Sequence, residues 1–197
     1  MNEHETNNDL DERAQRIVIA AMEMAEQDGY DAVRLRDLAE RADVALGTVY
    51  RRFSCKEDIL AAALELQVEQ MRTALMGSPW PGTTAEERLV SFFQLATNTL
   101  SERPKLAAAM LRTVASGVPE LSEKVTRYHG RMTEIILGVY RGEWSEDLPS
   151  SEERTLAELL QNVWFAALVG WTGGIHTPDE VVEQVRHATR LLLRGMQ

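Results

Sequence analysis

The sequence predicts an all-α protein of about nine helices. Almost every segment spaces its apolar residues three and four apart, the period of a helix with one buried face. No segment alternates apolar and polar residues as a half-buried strand does. Ser or Thr followed three residues later by Glu, the signature of a capping box, recurs at Ser54, Thr84, Ser150 and Thr177. The expected organisation is an N-terminal three-helix domain over residues 1–55 and a larger helical domain over residues 56–197.

The first helix is expected from about Leu10 to Gln27, with Ile17, Ala20, Ala21 and Met24 on one face, Asp9 and Glu12 at its start and Asp28-Gly29 at its end. Two short helices follow, Leu35–Ala42 and Leu46–Phe53, joined by a turn at Asp43 and Val44. Ser54 and Glu57 then open a longer helix to about Leu75. Glycines and prolines between Gly77 and Gly82 stop it and mark a boundary. Helices are expected from Thr84 to Leu100, from Pro104 to Ala115 and from Leu121 to Tyr140. Ser150 with Glu153 opens the eighth, whose apolar face from Leu156 to Trp171 is wider than one stripe. Thr177, Pro178 and Glu180 open the ninth, which repeats apolar residues as far as Leu192.

Composition narrows the function classes. Cys55 is the sole cysteine, so no intrachain disulfide forms, and a lone thiol fits a reducing cytoplasm. The polar, acidic stretch Met1–Asp9 does not resemble a secretion signal. No apolar run approaches the ~18 residues of a membrane span. The net charge of −10 opposes nucleic acid. Its distribution does not: Arg34, Arg36, Arg41, Arg51, Arg52 and Lys56 face only Asp37, Glu40 and Asp43 in the same stretch.

Two short helices joined by a tight turn make the arrangement that places a recognition helix in the DNA major groove, and also occur as ordinary packing units. The run Leu46-Gly47-Thr48-Val49-Tyr50-Arg51-Arg52-Phe53 favours DNA. Val49 and Phe53, four apart, anchor it inward, leaving Thr48, Tyr50, Arg51 and Arg52 on the other surfaces. Hydroxyls and cations suit phosphate, arginine forks also read guanine edges, and Gly47 lets the backbone approach closely.

Through Leu35–Ala39, Ala42–Tyr50 and Phe53–Glu57 the chain resembles the TetR family of bacterial repressors. The resemblance implies a DNA-binding domain, a helical regulatory domain, a dimer and release of the operator when a small ligand binds. It makes Thr48, Tyr50 and Lys56 phosphate contacts and turns Leu46, Gly47 and Arg51 to base edges. Arg52 stands where many relatives have histidine or tyrosine and keeps a phosphate role. Asp43 replaces a common turn glycine, which its ease in the left-handed region tolerates. Ala45 and Arg34 replace a common serine and threonine, so both short helices lose a side-chain cap, a cost of about 0.5 to 2 kcal/mol each. Arg34 is a candidate phosphate contact instead. No minor-groove arm is expected, because no Lys or Arg precedes Arg13.

The last two helices can close with their copies into a four-helix dimer interface through Leu160, Ala167, Leu168, Trp171, Val181, Val185, Ala188 and Leu192, or pack within one chain. Phe92, Phe93, Leu106, Met110, Met132, Ile136 and Trp164 either line an effector pocket or form plain core. The expected effector is small and apolar. The segments Arg103–Gly117 and Val163–Trp171 are similar to actinobacterial regulators of steroid catabolism, which implies a lipid-, steroid- or acyl-thioester-like ligand. No enzyme, cofactor or metal site is expected: His4, His129, His176 and His187 are scattered, and Cys55 reads as a spectator thiol or a redox switch. The expectation is thus a cytoplasmic, homodimeric, ligand-released repressor of an inverted-repeat operator, with no membrane partner. The rival is a helical protein-interaction module that does not bind an operator.

Overall fold

The computed structural model describes residues 3–78 and 80–196, with side chains from Glu12 onward. Among the described residues there are nine α-helices and no strand: α1 (Glu3–Asp28), α2 (Leu35–Arg41), α3 (Leu46–Arg52), α4 (Lys56–Met76), α5 (Ala85–Ser101), α6 (Pro104–Val114), α7 (Ser122–Arg141), α8 (Ser151–Thr172) and α9 (Pro178–Gly195). Single 3-10 turns occur at Tyr30–Ala32 and Pro119–Leu121. None of these helices is long and apolar enough to cross a membrane.

The capping signals at Thr84, Ser150 and Thr177 form reciprocal boxes as expected. At Ser150, the hydroxyl accepts from the Glu153 amide at 3.1 Å, and the Glu153 carboxylate accepts from the Ser150 amide at 2.8 Å. Two expected starts need correction. The first helix begins at Glu3 rather than Leu10, so positions 9 and 12 lie inside it, and the side chain of Asp9 is outside the described residues. Acidic residues in a first turn complement the helix dipole and favour this longer start. At Ser54 the partner is Asp58: its carboxylate accepts from the Ser54 amide at 2.9 Å, while Glu57 is taken by Tyr30.

The chain divides into two compact units. The first comprises residues up to Leu66 together with Arg103–Val125. Its core gathers Ile17 and Ala21 of α1, Leu38 of α2, Val49 of α3, Ile59 and Leu60 of α4, and Leu106 of α6, all buried. α6 packs against α1 and the Tyr30 turn. Lys105 Nζ donates to the Gln27 carbonyl at 2.5 Å, and Arg103 pairs with Glu26 at 3.5 Å.

The second unit comprises Gln67–Glu102 and Thr126 onward. α9 packs on both α8 and α5; Val181 and Val185 of α9, Leu89 and Phe93 of α5 and Leu160 of α8 are all buried. Arg88 closes the end of α7: Nε donates to the Val139 carbonyl at 2.8 Å and Nη2 to that of Tyr140 at 2.6 Å. Those carbonyls have no helical partner at a C-terminus, and Gly142 at φ 77° turns the chain away.

Candidate nucleic-acid interface

The site is built on α2, its turn and α3. Asp43 takes φ 52°, the one positive value among described non-glycine residues, and so does the work of the expected glycine. The turn is fixed by the Val44 amide donating to Ala39 O at 2.9 Å and the Asp43 amide donating to Glu40 O at 3.2 Å. Ala45 and Arg34 stand at the N-caps of α3 and α2 without side-chain capping bonds, as the sequence indicates. Both helices therefore depend on the buried anchors Leu38, Ala39, Val49 and Phe53.

Those anchors orient the rest of α3. Tyr50 is 59% exposed, Arg51 and Gly47 are exposed, and Leu46 and Arg52 are half-buried. A Cβ added at Gly47 would meet nothing within 4 Å, so no neighbour in the chain requires the glycine. Thr48, expected on a free surface, is buried, and its hydroxyl accepts a long 3.4 Å contact from Arg51 Nη2. Arg34 and Arg36 are exposed at α2, whereas Arg41 is turned back to Glu23 and Gln27, each at 3.1 Å.

Lys56 is more engaged than its sequence position suggests. Its ammonium donates to the Tyr30 carbonyl at 3.3 Å, stands 3.8 Å from the Tyr30 ring centre and lies 3.8 Å from Asp31. The Tyr30 hydroxyl donates to Glu57, and Arg112 of α6 stands over the same ring. Burial, followed by that bond to Glu57, pushes the Tyr30 hydroxyl up to about 12. For Glu57, burial pulls upward, but the bonds from Tyr30 and from its own backbone amide hold the carboxyl below its ordinary value. Lys124, at the start of α7, donates to the Asp58 carboxylate and lies 5.3 Å from the Phe53 ring centre. Sequence reasoning missed Tyr30, Arg112 and Lys124, whose partners lie far along the chain without a local motif to mark them.

Of the expected effector-lining residues, the structure gathers Phe92, Phe93, Met132, Ile136 and Trp164 in the interior of the second unit, with Phe93 5.5 Å from the Trp164 ring. Leu106 and Met110 are buried in the first unit. Of the residues considered for dimerisation, Leu160, Ala167, Leu168, Val181 and Val185 are buried within the chain itself, while Trp171, Ala188 and Leu192 are half-buried.

Comparison with known proteins agrees with this architecture. Residues 17–63 match the family described as bacterial regulatory proteins, tetR family, and residues 82–192 match the tetracyclin repressor-like C-terminal domain. The HTH-type transcriptional repressor KstR of Rhodococcus jostii (strain RHA1) is 28% identical over 188 residues, covering 95% of this chain and 86% of that one. A TetR transcriptional regulator from Rhodococcus sp. RHA1, known from its crystal structure, is 26% identical with a TM-score of 0.82, covering 94% of this chain and 97% of that one. The transcriptional regulator FadR from Bacillus subtilis, solved in complex with stearoyl-CoA, shares the fold at 23% identity and a TM-score of 0.62, over 93% of this chain and 99% of its own. With both its helix-turn-helix and its C-terminal helices matched, the chain belongs to the TetR family of bacterial transcriptional regulators.

Proposed function

We propose that this regulator is a repressor that binds an inverted-repeat operator as a homodimer and lets go when a small apolar effector binds. The observation that carries the reading is the presentation of α3: Val49 and Phe53 are buried while Tyr50 and Arg51 project beside a glycine whose α-carbon is open to approach. Tyr50 serves a phosphate, with Arg34, Arg52 and Lys56 around it. Arg51, Leu46 and Gly47 face base edges. On a chain with a net charge of −10, the cluster of Arg34, Arg51, Arg52 and Lys56 leaves binding to a small oriented surface.

Dimerisation is assigned to α8 and α9. Leu159 and Val169, 42% and 44% exposed, fall with Ala166 on one stripe of α8, and Leu191, 69% exposed, follows Ala188 by three on α9. Apolar side chains separated by small residues suit close helix approach in a four-helix interface. The effector reading rests on the apolar interior formed by Phe92, Phe93, Met132, Ile136 and Trp164, which suits a lipid-, steroid- or acyl-thioester-like body.

The test is selection of bound genomic fragments at moderate salt with the wild type, Tyr50→Ala and Arg51→Ala proteins. One inverted repeat, recovered by the wild type and lost in both variants, supports the reading. A folded protein that enriches no sequence overturns it in favour of a protein-interaction module.

A further inference from the structure

The second unit holds a polar cluster built around one buried amide, outside the unit that carries the helix-turn-helix. Gln161 of α8 is 3% exposed, yet its amide Nε2 lies 2.7 Å from His129 Nδ1, and its Oε1 accepts a long 3.5 Å contact from Thr133 Oγ1. His129 and Thr133 are four apart and share one face of α7, with Met132 and Ile136 beside them in sequence and buried. Three residues along α8, Trp164 packs on Phe93 at 5.5 Å and donates Nε1–H to Thr97 Oγ1 at 2.9 Å, bringing α5 to the same region. Three helices therefore meet where an aromatic and aliphatic interior ends in amide, imidazole and hydroxyl groups.

An amide in such a place must be hydrogen-bonded, and the hydrogen bonds it makes do little more than offset the cost of taking it out of water. A primary amide offers two N–H groups and two carbonyl lone pairs. The two contacts use one of each, the second of them at the limit of hydrogen-bond length. With the Gln161 N–H donating, His129 Nδ1 is the acceptor and the imidazole carries its proton on Nε2. Burial, which outweighs the bond from Gln161, pushes the His129 pKa down and favours this neutral form.

We infer that Gln161, with His129 and Thr133, is the polar subsite at which an apolar effector's single neutral hydrogen-bonding group, a carbonyl or hydroxyl oxygen, is recognised. The incoming oxygen accepts from Gln161 Nε2 or from His129 Nε2–H, while its hydrocarbon body lies among Phe93, Met132, Ile136 and Trp164. A hydrocarbon without the oxygen leaves these donors unmatched, so the subsite selects by a polar atom as well as by shape. The inference rests on the effector-binding reading given above.

The experiment titrates the full-length protein with a matched set, dodecane, dodecan-2-one and dodecan-1-ol, following the indole 15N–1H resonance of Trp164 and the dissociation constants. The wild type is expected to bind the ketone and the alcohol about tenfold or more tightly than the alkane, a difference of ~1.4 kcal/mol. Gln161→Leu should abolish that preference by tightening the alkane and weakening the ketone, and His129→Phe should reduce it. Gln161→Met gives the same readout if the leucine variant fails to fold. Binding with an unchanged preference in these variants overturns the subsite and leaves the effector reading standing. If no member of the set binds the wild type or shifts Trp164, the apolar-effector reading falls and the subsite with it.

Discussion

The guanidinium carbon of Arg112 stands 4.0 Å from the centre of the Tyr30 ring. Lys56 Nζ stands 3.8 Å from the same point, and both cations lie 3.8 Å from Asp31. One turn after α1 thereby ties α6 to the start of α4 within the first unit. Arg112→Ala should lower stability by about 0.5 to 1 kcal/mol, the value of an exposed cation–π contact. Urea unfolding would show a lower midpoint at unchanged slope.

Lys56 is expected to serve both the fold and the operator. Lys56→Met keeps much of the apolar stem packed near Tyr30 but removes the charge. Operator titrations across a salt series should show all sequences weakened alike and the log–log salt slope reduced by about 0.9, one phosphate's worth. Arg51→Ala should instead relax sequence preference.

Gly47 separates folding from binding. It lies within α3 with open space around its α-carbon, so Gly47→Ala should raise stability by up to about 1 kcal/mol through helix propensity. The added methyl should weaken operator binding. Thermal unfolding and operator titration of one variant check both signs, and a variant that gains in both would remove Gly47 from the DNA-facing surface.

Acid should loosen the second unit through Glu153. The Arg141 guanidinium, 2.8 Å away, and then the Ser150 amide hold its carboxyl down to about 2 from an ordinary 4.5. A depressed carboxyl stabilises the fold above its unfolded pKa, and this contribution is lost as pH falls from about 4.5 towards 2. Since the pair is partly solvated, the contribution is of order 1 kcal/mol. Glu153→Gln should flatten the acid side of a stability–pH curve between those limits and leave the neutral side lower.

Local features were legible in the sequence because they depend on near neighbours. The three capping boxes, the positive φ of Asp43 and the limits of α3 each follow from residues within one helical turn. Features made by long-range packing were not. Gln161 and His129 are 32 residues apart and look in sequence like polar interruptions of amphipathic helices. Ser54 and Glu57 had the right spacing for a cap, but Tyr30, 27 residues before Glu57, took the carboxylate. The apolar face of α8 was too wide to sort by periodicity: its side toward α9, with Trp164 against Phe93 and Thr97 of α5, is satisfied within the chain, and the stripe through Leu159 and Val169 is exposed.

The unit that carries the helix-turn-helix is discontinuous in sequence, being completed by Arg103–Val125. On the ribosome, α1 to α3 emerge well before α6, which covers α1 and the Tyr30 turn. At about 5–20 residues per second, the roughly 60 residues between Leu66 and Val125 take some 3–12 s to make. During that interval α1 and the Tyr30 turn carry an uncovered apolar face where α6, with its buried Leu106, Ala107 and Met110, will seat. Nascent chains arrested shortly after Leu66 should therefore be more protease-sensitive, and more readily held by chaperones, than chains arrested once Val125 has cleared the exit tunnel.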